Sequence, residues 1–388
     1  MSPMAEEEIP LNDLLHCLLE CSEKAARIAQ IFREENDLFE LLVEKKSVLE
    51  RNKRFIQDYK TLADVLVQET IKLDVAQKFP SILSKIEGEE QNTFQNTLGE
   101  SIRVELTSVP QTTDLLCQVL NGNRHVAEVL SRIVHSESDK FETECTESSC
   151  IASKRIGIWI DPIDSTAEYI QAKADEINDS GILQYGLKCV CVLIGAYDLE
   201  TGDPILGVIN QPFYDKDLQS LKWRSKVYWG LAHQNASEIS NNLKSEEIER
   251  RIIVTSSSEN ERLLDIMKSR YQVVHAAGAG YKNLLVACKE ADLYVLSQGT
   301  THFWDTCGPQ AILTAMGGGM LNFQEVTKAG NAKTLDLRKY QIRYTSLEKG
   351  IESARNSGGV IAYRNPSDVT EFLQLLEDNN YHFTKDSS

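Results

Sequence analysis

The stretch Gly157-Ile-Trp-Ile-Asp161-Pro162-Ile163-Asp164-Ser165-Thr166 restricts the fold more than any other part of the chain. An apolar run ends in two carboxylates that bracket a proline, and Ala-Glu-Tyr-Ile then opens a helix. Pro162 fixes its own φ and disfavours the α region at Asp161, which predicts a strand that stops there and a turn after it. Such a turn sets Asp161 and Asp164 on one side. Carboxylate oxygens, joined by a main-chain carbonyl turned inward at Ile163, are hard ligands of the kind Mg²⁺ prefers. Ser165 and Thr166 fall at the start of the following helix, where unpaired N–H groups and the positive end of the dipole favour a phosphate. Read alone, the same letters also describe an ordinary strand-to-turn junction with a solvated aspartate.

Length asks for more than one ordinary core: 388 residues predict two packed subdomains or one large α/β unit. Lys plus Arg number 41 against 58 Asp plus Glu, a net charge of −17, which argues against a nucleic-acid partner. An anionic small molecule remains compatible where metal ions and local cations reverse the field. The first residues, Met1 to Glu8, show no basic segment followed by an apolar one, and no run of about 18 apolar residues occurs. The expectation is a soluble, cytoplasmic protein with no membrane partner. Nine cysteines without a C-x-x-C pair predict reduced, packed thiols.

In chain order, Leu11 to Phe32 carries apolar residues at helical spacing, and a second helix is expected over Leu38 to Leu49. Thr61 reads as the cap of a helix whose first turn holds Asp64, a placement that a purely structural helix also favours. Ile82 to Ile86 reads as a strand ending at Gly88-Glu89-Glu90, and a helix is expected from Thr113 to Val134. The polar stretch from His135 to Ser153 reads as a surface excursion. Leu187–Tyr197, Pro204–Gln211 and Lys226–Leu231 then read as strands. A polar linker from His233 to Glu249 separates an N-terminal α+β subdomain, 1–232, from a C-terminal α/β subdomain, 251–388. The second subdomain alternates strand and helix: Ile252, Gln272 and Asp292 open strands, and Glu259–Ser269 and Leu284–Cys288 read as helical. Between them lies Ala276-Ala-Gly278-Ala279-Gly280-Tyr-Lys282, small residues that admit close approach of backbone and a lysine for an anion. Trp304-Asp305 begins a further helix, where an aspartate is also a good cap; His302 before it reads as a surface or interface residue.

Each carboxylate has an ordinary explanation on its own. Their joint order, Asp64, Glu89 with Glu90, Asp161 to Thr166, and Asp305, resembles the lithium-sensitive, magnesium-dependent phosphomonoesterase superfamily of inositol monophosphatase, fructose 1,6-bisphosphatase and 3′-phosphoadenosine phosphatase. Ser165 where most relatives have glycine, the long insertion before Asp161 and the Ala-Gly-Ala-Gly-Tyr-Lys run place the likeness nearest the branch that acts on inositol polyphosphates. The resemblance implies a layered αβαβα fold in two sheet-containing subdomains. It implies two or three Mg²⁺ ions, held by Glu89, Asp161, the Ile163 carbonyl, Asp164 and Asp305, with Glu90 nearer support than ligand. Asp64, Thr166 and Glu89 would activate water. Substrate would meet Asp164, Ser165, Thr166, Gly278, Ala279 and Lys282, with Ser256 and Ser258 adding hydrogen bonds. The implied reaction removes the 1-phosphate of inositol 1,4-bisphosphate and inositol 1,3,4-trisphosphate, is inhibited by Li⁺, and is carried out by a monomer. Two other readings stay open: a 3′(2′),5′-bisphosphate nucleotidase, and a non-catalytic protein that binds metal and phosphate.

Overall fold

The computed structural model describes residues 7–34, 43–45, 59–95, 100–137, 141, 143, 145–234, 236–243, 251–347 and 350–381. Two sheets and three helical layers organise it. The first sheet contains β1 (Ile86–Gly88), β2 (Ile156–Asp164), β3 (Cys191–Asp198), β4 (Pro204–Lys216), β5 (Trp223–His233) and β6 (Ala236–Ile239). Their order is β6-β5-β4-β3-β2-β1, antiparallel except for the β1–β2 pair. The second contains β7 (Ile252–Thr255), β8 (Gln272–His275), β9 (Leu293–Leu296), β10 (Gly319–Asn322) and β11 (Val360–Tyr363). Here the order is β8-β7-β9-β11-β10, and β7 runs parallel to both β8 and β9.

The period of two along a strand sends alternate side chains to opposite faces, and this decides the layering. Ile158, Ile160, Val192, Ile194 and Val208 point to a core shared with α1 (Leu11–Glu34) and α2 (Leu62–Lys78). Their neighbours Trp159, Leu193 and Ile209 point the other way, into a core shared with α4 (Ala279–Ala287), α5 (Phe303–Ala315) and one face of the second sheet. The far face of that sheet, Ile253, Leu293, Val295 and Ile361, packs on the helices Glu261–Lys268, Phe323–Ala329 and Pro366–Asp378. The result is αβαβα layering. Between α1 and α4 in the chain lies the short α3 (Thr166–Gln171).

Helix α5 lies against the first sheet backbone to backbone. Gly195, Gly207 and Gly230 stand opposite one another on β3, β4 and β5. A Cβ on Gly195 or Gly207 would run into the main chain of Gly308, and one on Gly230 would come within 2.7 Å of the Ile312 Cα. The stripe of missing side chains is the groove in which α5, and therefore Asp305, is seated.

Several expectations are corrected. Strand β2 does not stop at Pro162; it continues to Asp164, with a register shift between the partners Cys191 and Leu193. Proline is tolerated where a bulge interrupts the ladder, so the turn is folded into the strand. Residues 80–85 form a 3₁₀ helix rather than a strand, opened by Pro80 at its first position. The helix expected over 113–134 is two helices, Val109–Val119 and Arg124–Val134, parted by Asn121 and Gly122, both at positive φ. Of the helix expected over 38–49, only 43–45 is described, and it is a strand paired with Tyr59–Thr61; the rest lies outside the described residues. The polar stretch 135–153 ends in a strand, Cys150–Ala152, paired with Glu8–Pro10. Part of the supposed linker is β6. Among the described residues no helix is long and apolar enough to cross a membrane.

Candidate active site

Two elements bring three carboxylates to one point, and two others set Asp64 and Glu89 within range of their charge. Asp161 and Asp164 leave β2 around the bulge, Asp305 sits in the first turn of α5, and each offers an oxygen within 4.8 Å of the others. Asp161 is 1% exposed, and its Oδ1 has no hydrogen-bond partner among the described residues. Burial first, and then the charges of Glu89, Asp164 and Asp305, push its pKa well above the ordinary carboxylate range. Asp305 is raised in the same way, by burial and then by Asp164 and Glu89. Asp164 is raised by burial as well, but the Lys282 charge and the Gly280 and Ala279 N–H groups pull it back.

Those N–H groups belong to the start of α4. Ala279 and Gly280 donate to the two Asp164 oxygens at 3.1 and 2.7 Å. Gly278 caps the helix at φ 74°, and a Cβ there would come within 2.8 Å of both Asp164 Oδ2 and Ser165 Oγ. Glycine is therefore needed twice at one position, for its backbone and for its lack of bulk. The sequence analysis does not place Gly280 among the site residues; the Ala-Gly-Ala-Gly run is the signal for it.

Asp64 is completely buried in the first turn of α2. Its Oδ2 accepts from the Thr61 N–H at 2.7 Å and the Thr61 hydroxyl at 2.6 Å, closing a capping box that stabilises such a helix by about 1 kcal/mol. Its Oδ1 faces the Thr166 hydroxyl at 3.5 Å, and that hydroxyl also lies 3.1 Å from the Ile163 carbonyl. The structural and functional readings of Asp64 thus use different oxygens of one carboxylate.

Glu89 follows β1 and its N–H donates to the Ile160 carbonyl at 3.1 Å, which brings the turn alongside β2. It is not one of the three closest carboxylates, yet after burial it is the largest influence on Asp161. Glu90 is buried, and its main chain is bonded to Gln68 of α2. Ser165 takes a left-handed backbone, φ 74°, and caps a helix of only six residues.

Two expectations do not fit this geometry, those for Lys282 and His302. Lys282 does not reach outward to an anion: it is buried, and its ammonium donates to the Ala276 and Gly278 carbonyls at 3.1 and 2.6 Å. Its charge acts on Asp164 and Asp305 instead. Ser258 is exposed and its hydroxyl meets that of Ser256 at 3.2 Å, so its expected contact with substrate stands as a proposal. His302 is no open surface residue, for its ring stacks on Trp304 at 4.4 Å and its N–H donates to Asp305 at 2.6 Å.

The pattern of the Inositol monophosphatase family matches residues 14–358. The chain belongs to the inositol monophosphatase family. Within it, the mouse inositol polyphosphate 1-phosphatase is 42% identical over 392 residues, covering 95% of this chain and 98% of the relative. Mouse 3′(2′),5′-bisphosphate nucleotidase 1 is 27% identical, over 90% of this chain and 99% of the relative. A solved structure described as an IMPase/NADP phosphatase complexed with Mg²⁺ and phosphate shares the fold of this family member at a TM-score of 0.51. It is 13% identical and covers 97% of this chain and 98% of that one. The αβαβα layering that the resemblance implied is therefore that of the family.

Proposed function

We propose that this chain is a Mg²⁺-dependent phosphomonoesterase that removes the 1-phosphate of inositol 1,4-bisphosphate and inositol 1,3,4-trisphosphate. The observation that carries the reading is the trio of buried Asp161 and Asp164 with half-buried Asp305, whose oxygens converge within 4.8 Å and leave Asp161 Oδ1 without a hydrogen bond among the described residues. Buried like charges without a cation are costly, and divalent metals with oxygen preference satisfy such a set. The 42% identity to an inositol polyphosphate 1-phosphatase, against 27% to a nucleotidase, supports the substrate class.

Asp161, Asp164, Asp305, Glu89 and the Ile163 carbonyl would hold two or three Mg²⁺ ions, with Glu90 as support. Bound Mg²⁺ supplies a Lewis acid that lowers the pKa of water and stabilises the leaving alkoxide. The protein's own part is to place protons and donors. The Thr166 hydroxyl has one proton and two acceptors, Asp64 Oδ1 and the Ile163 carbonyl. Donation to Asp64 leaves the Ile163 carbonyl available to a cation and turns the Thr166 lone pairs toward an incoming water. Asp64, held by Thr61, then takes up the proton that the attack releases. The left-handed backbone of Ser165 sets the Ser165 and Thr166 N–H groups for the substrate phosphate, beside Gly278 and Ala279. Lys282 offsets the negative field from behind. Li⁺ is expected to inhibit by competing for the oxygen ligands.

Phosphate release with Mg²⁺ tests this, with inositol 1,4-bisphosphate and adenosine 3′,5′-bisphosphate offered side by side. Inositol 4-phosphate as the main product supports the proposal. Preference for the nucleotide replaces the substrate class, and no release from either, with Mg²⁺ bound, makes the protein a non-catalytic binder.

A further inference from the structure

Gln68 lies one helical turn beyond Asp64 on α2 and is completely buried. Its Oε1 accepts the Glu90 main-chain N–H at 2.9 Å, and its Nε2 donates to the Glu90 carbonyl at 2.5 Å. A primary amide offers a neutral donor and acceptor side by side, so Gln68 gives Glu90 the two-way pairing that a neighbouring strand would give. The chain makes room for it. A Cβ on Gly88 would collide with Gln68 Oε1. On the other side of the turn, the Glu89 N–H is bonded to Ile160 of β2. Residues 89 and 90 are thus clamped between the helix that carries Asp64 and the strand that carries Asp161.

We propose that Gln68 is a positioning residue for the Glu89–Glu90 turn, holding both carboxylates in register with Asp161 while tying that register to Asp64. The inference rests on the metal role proposed above for these glutamates. Gln68 acts through the Glu90 main chain. Groups that orient ligands in this way change metal affinity by about 10- to 100-fold when removed.

Gln68→Met keeps length and apolar bulk and removes both hydrogen bonds. The full-length wild type and variant are titrated with MgCl₂ and followed by phosphate release and by melting temperature. The expected result is a Mg²⁺ midpoint about 10- to 100-fold higher in both readouts, with kcat restored to within a few-fold at saturating Mg²⁺. An unchanged midpoint in the folded variant overturns the proposal, and a melting loss equal in EDTA and in Mg²⁺ would make Gln68 a packing residue. Gly88→Ala, which crowds both the Gln68 amide and the Ile160 carbonyl that accepts the Glu89 N–H, is the second variant, and its midpoint should move the same way. In the unaltered protein the Glu90 amide should exchange slowly with solvent; exchange as fast as at an exposed amide overturns the proposal with no substitution at all. A wild type that neither turns over nor gains thermal stability with Mg²⁺ would overturn the metal reading itself, and this inference with it.

Discussion

Asp305→Asn separates a charge from a shape. Asparagine keeps an oxygen for the His302 N–H, now accepted at 2.6 Å, so the start of α5 stays capped. What is lost is one negative charge from a trio whose oxygens lie within 4.8 Å of one another. At that separation and an effective dielectric of 20, two unit charges repel by about 3–4 kcal/mol. Proton uptake limits the cost, since burial and mutual repulsion raise the pKa values of all three. The recoverable part is then smaller than that full repulsion, on the order of 1–3 kcal/mol. In EDTA the variant should therefore melt above the wild type, by about 1–5 °C for a chain of this size. In Mg²⁺ the order should reverse. At a hundredfold excess over Kd the wild type gains about 2.7 kcal/mol, and a variant with one ligand fewer gains much less. Differential scanning fluorimetry of both proteins in EDTA and in MgCl₂ reads the crossing. A variant that melts below the wild type in EDTA refutes the reasoning, because repulsion would then not be the cost that the site carries.

Asp64→Asn should keep the fold and lower turnover by about 10²-fold or more, as loss of a proton acceptor does; a fall of several degrees in melting temperature would assign Asp64 to the cap alone. Asp161→Ala should abolish turnover at any Mg²⁺ concentration, and metal-dependent activity that survives it would remove the proposed site. In Mg²⁺-free protein the raised pKa values of Asp161, Asp164 and Asp305 give a stabilisation that is present at low pH and lost as pH rises above the unfolded carboxyl range of about 4. Urea midpoints from pH 4 to 8 should show that decline in EDTA and a flatter profile in MgCl₂; the same slope in both would sink the linkage. Gly207→Ala should destabilise by about 1–3 kcal/mol through overpacking against Gly308 and also weaken Mg²⁺ binding, measured by calorimetry.

How much could be read beforehand depended on whether the signal was local. The carboxylates of Asp161 and Asp164 were legible because a proline, a strand and a helix opening are all written within ten residues. Asp64 and Asp305 were legible as helix starts, and only their joint order with Glu89 gave them another meaning. The strand that runs through Pro162 was misread, because a bulge depends on the partner strand, and the shift lies between Cys191 and Leu193. The broken helix at Asn121-Gly122 was local and could have been found from that dipeptide. Lys282 reads as reaching outward because a sequence shows the charge of a lysine and not the two carbonyls that hold it.

The seat of α5 has a mechanical consequence. Side chains packed on side chains can absorb a small error by changing rotamer, but main chain pressed on main chain has no such freedom. Gly308 rests on β3 and β4 one turn from Asp305, so the helix behaves as a short peg driven to a hard stop. The depth of that stop sets how far one carboxylate reaches toward the other two. A methyl group added at Gly207, two strands away from Asp161 and Asp164, is therefore a dial for the spacing of the cation site, turned without touching a single group that would bind the cation.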